Sequence, residues 1–146
     1  MKRIAPFARM LLGLVFVVFS TNYFVPFLPP QPMPPQPALA LAGALMASGL
    51  LTLIKVIELV AGLALLANRA VPLALALLAP IIVGIGFFHL VLAPAGAPLA
   101  LGVLALELVL AWSYRNAFRT MVQWRVAPAS HAVTTEPPSE LAIARG

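Results

Sequence analysis

Among the polar side chains that interrupt the apolar stretches of this 146-residue chain, five could do chemistry: Asn22, Lys55, Glu58, His89 and Glu107. Glu58, Glu107 and His89 are of types that exchange protons, and Lys55 and Asn22 are of types that hydrogen-bond a polar group. Lys55 and Glu58 stand three residues apart, close enough to touch on one helix. Such a set suits proton exchange, or recognition of the polar head of an apolar ligand. A metal site is not expected, because the apolar stretches hold no second histidine. No catalytic triad, phosphate loop or cofactor motif is visible. Cysteine is absent, which excludes disulfides, thiol catalysis and cysteine-held iron–sulfur clusters within the chain.

The elements that position these groups are set by the solvent the chain requires. Hydrophobic residues make up 62% and charged residues 9%, against about 25% charged in a soluble domain. A chain this short cannot hide so much apolar surface in one core. The medium is therefore a lipid bilayer. The net charge of +5 comes from basic residues scattered among apolar runs, so nucleic acid is excluded as a partner. Four stretches are long enough to cross a hydrocarbon core as helices: about 8–28, 50–67, 70–93 and 95–114. The fold class expected is all-α, a polytopic membrane protein with four transmembrane helices in a bundle.

Basic residues orient it. Lys2, Arg3 and Arg9 precede the uncharged run 10–28, Arg69 separates the second and third spans, and Arg115, Arg119, Arg125 and Arg145 follow the fourth. The connections 29–37 and 93–98 carry no Lys or Arg. Only Lys55 falls off one side, which the positive-inside rule makes cytoplasmic, with both termini in. The compartment expected is the bacterial cytoplasmic membrane. The basic start and the run 10–19 also fit a secretory signal. However, no small-residue cleavage site follows and the apolar run continues to Leu28, so an uncleaved span is expected.

Between the first two spans, six prolines fill residues 29–37. They predict a stiff extended strap rather than a docking ligand. Residues 38–49 are apolar but too short to cross, and predict a short helix in the outer leaflet that breaks near Ser48–Gly49. After Tyr114, Phe118, Met121, Val122 and Trp124 interleave with Arg115, Arg119 and Arg125, as in a helix running into the headgroup region. The organisation expected is one membrane domain over 1–125 and a disordered cytoplasmic tail over 126–146.

On the second span, Ser48, Thr52, Lys55, Glu58 and Gly62 fall within an arc of about 120°. That polar, small face should point inward. Eleven Leu, Ile and Val residues in 50–67 favour insertion by roughly 0.3–0.6 kcal/mol each, while Lys55 and Glu58 oppose it by roughly 5–7 kcal/mol together. The span needs mutual pairing or its neighbours. A neutralised Lys55–Glu58 pair that locks the helices is one reading, and a hydrogen-bonded Glu107 is its counterpart on the fourth span. In the other reading, Asn22, Lys55, Glu58, His89 and Glu107 surround one pocket in the outer half. Pro26 and Pro80 free backbone carbonyls in the first and third spans.

At these residues the chain resembles the DoxX family of small bacterial membrane proteins. The segments that carry the resemblance are Ala8-Arg9-Met10-Leu11-Leu12-Gly13-Leu14-Val15-Phe16 and Ile54-Lys55-Val56-Ile57-Glu58-Leu59-Val60-Ala61-Gly62. To these are added Arg69-Ala70-Val71-Pro72-Leu73-Ala74 and Phe87-Phe88-His89. Together they run over about 8–118. The first helix departs from the family's Gly-rich end at Phe19-Ser20-Thr21-Asn22-Tyr23. The resemblance implies a four-helix integral membrane protein, in a family whose name comes from members associated with a thiosulfate–quinone oxidoreductase. If this chain joins in redox chemistry, a bound quinone or a redox partner subunit must carry the electrons. Three functions are therefore expected as alternatives. They are a quinone-binding or redox-accessory subunit, a small proton-linked transporter, and an assembly protein with a purely structural polar core. An oligomer and a membrane partner protein are compatible with each.

Overall fold

The computed structural model describes residues 4–30, 32–119 and 121. Among these, all regular structure is helical. The order is α1 (Ile4–Phe24), α2 (Gln36–Ala47), α3 (Leu50–Leu66), α4 (Val71–Phe87), a π-helical turn (Phe88–Leu92), a 3-10 turn (Pro94–Gly96), α5 (Ala97–Ser113) and the short α6 (Arg115–Arg119). The expected tail, 126–146, lies outside the described residues.

Among the described residues, three segments are long and apolar enough to cross a membrane: Ile4–Phe24, Val71–Leu92 and Pro94–Ser113. The expected span over 50–67 differs. At 17 residues, α3 reaches about 25 Å, short of a hydrocarbon core of about 30 Å. With α2 it forms a pair bent by 84°, and the count of crossings rises to four if that pair acts as one broken span. The bend falls at Ser48–Gly49, where the sequence predicts a break. Gly49 has φ +74°, in the left-handed region that favours glycine. Ser48 closes α2 through its backbone N–H to the Ala44 carbonyl and starts α3 by accepting from the Leu50 N–H. The prolines before Gln36 stay outside helix, and Pro37 sits in the first turn of α2, where its missing N–H costs nothing.

The turn from α3 to α4 is closed by two backbone bonds. The Arg69 N–H donates to Ala64 and the Asn68 N–H to Leu65, with Asn68 left-handed at φ 54°. This is a Schellman arrangement with asparagine in the position usually given to glycine. Arg9 reaches across from α1 and donates to the Leu65 and Leu66 carbonyls. It thereby places a cation at the negative end of α3.

α1 packs on α3 and α5, and α4 packs on the same two helices, so each has two neighbours in a closed ring. Leu12, Phe16, Leu65, Leu75, Leu78 and Leu110 fill the centre. Leu14, Val60, Leu73, Val83, Leu101 and Leu108 point outward and are exposed, an apolar exterior suited to lipid. α1 and α3 run antiparallel, with Arg9 at the end of α3 and Tyr23 beside its start. Where they cross, a Cβ on Gly13 would lie 3.0 Å from the Gly62 carbonyl oxygen, and one on Gly62 would lie 3.1 Å from that of Gly13. Small residues let the two backbones touch, as association in lipid requires. Gly62→Leu is therefore expected to cost about 1–3 kcal/mol through overpacking. Thermal unfolding in detergent should show a clear drop against Gly43→Leu, because a Cβ at Gly43 meets nothing within 4 Å.

Candidate functional site

The face that α1 turns to α3 carries Arg9, Gly13, Phe16, Ser20 and Tyr23, which share an arc of about 80°. Opposite them α3 presents Gly62, Glu58, Lys55 and Thr52. The result is a polar seam. Tyr23 Oη and Thr52 Oγ1 share a hydrogen bond of 2.7 Å. One turn deeper, Lys55 Nζ lies 2.8 Å from Glu58 Oε2, and the Ser20 hydroxyl donates to the same oxygen at 3.1 Å. Glu58 is 2% exposed and Lys55 21%. The buried carboxylate is thus held by one cation and one hydroxyl, as burial demands. Both contacts go to Oε2, so Glu58 Oε1 accepts no hydrogen bond among the described residues.

The other side of this pair faces a cavity of about 540 Å³ between α2, α3 and α4. Leu41 and Leu45 of α2, Ile54 of α3, and Pro80, Ile85 and Phe88 near the end of α4 give it apolar walls. Lys55, Glu58 and His89 are the ionisable residues in its lining. A mostly apolar concavity with a few convergent polar groups is the usual form of a small-molecule site.

His89 is placed by the π-helical turn, in which the Ala93 N–H bonds back five residues to the Phe88 carbonyl at 2.9 Å. Such turns widen a helix and recur at functional sites. His89 Nδ1 lies 3.3 Å from the Ala93 carbonyl, and the ring meets Phe88 edge-on at 5.2 Å. With Nδ1 protonated toward that carbonyl, Nε2 is left as an acceptor. Beneath the ring lies Gly96, where a Cβ would fall 2.0 Å from Nδ1. Gly96→Ala is therefore expected to expel the imidazole from its position. The His89 ring resonances should shift in this variant, while the helical circular dichroism of the protein is unchanged.

Of the five residues expected around one pocket, Lys55, Glu58 and His89 line this cavity, whereas Asn22 and Glu107 do not. Asn22 Oδ1 instead accepts the N–H groups of Phe27 at 2.9 Å and Leu28 at 2.8 Å. It closes the end of α1, which stops two residues before Pro26 because the residue preceding a proline is pushed out of helix. Glu107 is buried on the core face of α5 with Ala100, Val103 and Leu110. Its Oε2 has no hydrogen-bond partner. Ser20, Tyr23, Thr52 and the Arg9 contact complete the seam and were not among the residues singled out as a site. Among the described residues no three His, Asp or Glu side chains cluster to hold a metal.

Comparison of the chain with protein-family models, curated proteins and solved structures gives no match in any of the three.

Proposed function

We propose that this chain is a DoxX-like, four-span protein of the bacterial cytoplasmic membrane that binds a quinone-like molecule, as a subunit or accessory of a membrane redox system. The observation that carries the reading is the 540 Å³ cavity with Lys55, Glu58 and His89 in an otherwise apolar lining. A ring with two oxygens and an apolar tail matches that distribution. Glu58 Oε1 and His89 Nε2 would accept from quinol hydroxyls, and the Lys55 ammonium would donate to a quinone carbonyl. The apolar walls supplied by α2 and α4 would hold the tail. In this reading α2 and α3 together make the fourth crossing, with α2 lying near the outer surface.

A proton-linked transporter is less well supported, because Glu107, the other buried carboxyl among the described residues, stands outside the cavity lining. A purely structural polar core is less well supported because a cavity of this size adjoins the paired groups.

Two measurements test the proposal. Protein purified from native membranes should carry quinone detectable by mass spectrometry of the extracted lipids, in excess over the surrounding membrane lipid. Absence of any enrichment counts against it. Reporter fusions within 29–37 and after Gly146 should report opposite sides of the membrane, with the C-terminal one cytoplasmic. Fusions reporting the same side would remove the four-span arrangement.

A further inference from the structure

At the opposite end of the molecule from His89, α5 runs out through Trp112 into α6 with Arg115 and Arg119. Trp112 and Leu108 form a ridge, 62% and 61% exposed. A groove lies on each side of it. One, of about 670 Å³, is lined by Leu108, Ala111, Trp112, Phe118 and the two arginines. The other, of about 330 Å³, is lined by Ile4, Leu108, Val109, Trp112 and Ser113. Arg115 is held in place at the head of the ridge. Its guanidinium sits 5.3 Å over the Trp112 ring, and Nη1 donates to the Trp112 carbonyl at 3.0 Å. That uses one of its five N–H donors. Among the described residues no carboxylate pairs with Arg115 or Arg119, because the one ion pair there is Lys55–Glu58.

We infer that this end of α5 is a binding site for an anionic phospholipid. The phosphate would sit between Arg115 and Arg119, and the two acyl chains would straddle the Trp112–Leu108 ridge. Charge complementarity decides the occupant. Two guanidinium groups in the lining of the larger groove match a phosphodiester that carries no compensating ammonium, and guanidinium forks suit phosphate oxygens. A zwitterionic lipid offers the same chains without the net charge. The inference shares the membrane setting with the proposed function but does not depend on the cavity at Glu58.

The test uses the full chain in lipid nanodiscs. The sequence has two tryptophans, Trp112 and Trp124, so Trp124→Phe leaves Trp112 as the sole reporter beside the grooves. Brominated phosphatidylglycerol and brominated phosphatidylcholine are compared as quenchers at equal mole fraction. The anionic lipid should quench more, with an enrichment of about fivefold for each arginine. Arg115→Gln with Arg119→Gln should abolish the difference, whereas Arg69→Gln should leave it intact. Equal quenching by the two lipids in the chain with both arginines present overturns the proposal without reference to any charge variant. Persistence of the enrichment in the double variant also overturns it. Glu136 and Glu140 are the acidic residues that follow α6 in the sequence. If enrichment emerges only after Glu136→Gln and Glu140→Gln, the arginines serve the chain's own acidic residues and lipid is not their occupant.

Discussion

Glu58→Leu is expected to destabilise the protein by about 3–5 kcal/mol, the usual cost of removing one partner from a buried ion pair. Lys55 would lose an acceptor at 2.8 Å and Ser20 one at 3.1 Å. Neither side chain has another hydrogen-bond partner among the described residues. Changing Lys55 to Met together with Glu58 to Leu removes the stranded charge, so the double variant should recover most of that loss. Thermal unfolding in detergent of the single and double variants measures the difference. A single variant as stable as the parent, or a double variant no better than the single, would mean that the pair is not a coupled unit. The same double variant separates architecture from function. If the carboxylate recognises a ligand, a refolded Lys55→Met/Glu58→Leu protein should be stable and should not bind.

Gly84→Phe is expected to weaken ligand binding about 70-fold without loss of stability. Gly84 lines the cavity, and a Cβ there meets nothing within 4 Å. A phenyl side chain built from that position starts in open space beside the cavity. It would occupy the space a ligand ring needs. Burial of about 100 Å² of apolar ring at roughly 25 cal/mol per Å² is roughly 2.5 kcal/mol, or about 70-fold in affinity. A quinone titration should show a weakening of that order, with the melting temperature of the unliganded protein unchanged or raised. Binding undiminished in Gly84→Phe would place the ligand elsewhere.

Much of the helical organisation was legible in the sequence because lipid simplifies the rules. Apolar runs long enough to cross, bounded by basic residues and prolines, announce helices whatever their tertiary context. The break at Ser48–Gly49 was legible for a local reason, since glycine admits the left-handed φ that the bend uses. The inward face of α3 was legible as an arc of polar and small residues. Its partner face on α1 was equally present in the spacing of Arg9, Gly13, Phe16, Ser20 and Tyr23. Asn22 lies about 220° from Arg9 on the same wheel, far from that face, and its phase alone argues against a place in the seam. Ser20 carries no such signal, because a single hydroxyl in an apolar helix often bonds its own backbone, and only the antiparallel register brings it to Glu58. The π-helical turn had no signal in composition. Its effect is to widen the helix between Pro80 and Pro94 and to set His89 over Gly96. Glu107 has the phase of a core residue, and depth on a helix does not reveal which neighbours converge on a cavity.

Photoaffinity labelling tests the account most directly. A quinone carrying a photoreactive group on its ring would be irradiated with the purified full-length protein, and the labelled peptides mapped by mass spectrometry. The expected result is labelling of the cavity walls near Leu41–Leu45, Ile54–Glu58 and Pro80–His89, competed by unlabelled quinone and weakened in Gly84→Phe. Labelling confined to the exposed outer faces, around Leu101 or Leu108, or labelling indifferent to competitor and to Gly84→Phe, would contradict a quinone site at Glu58.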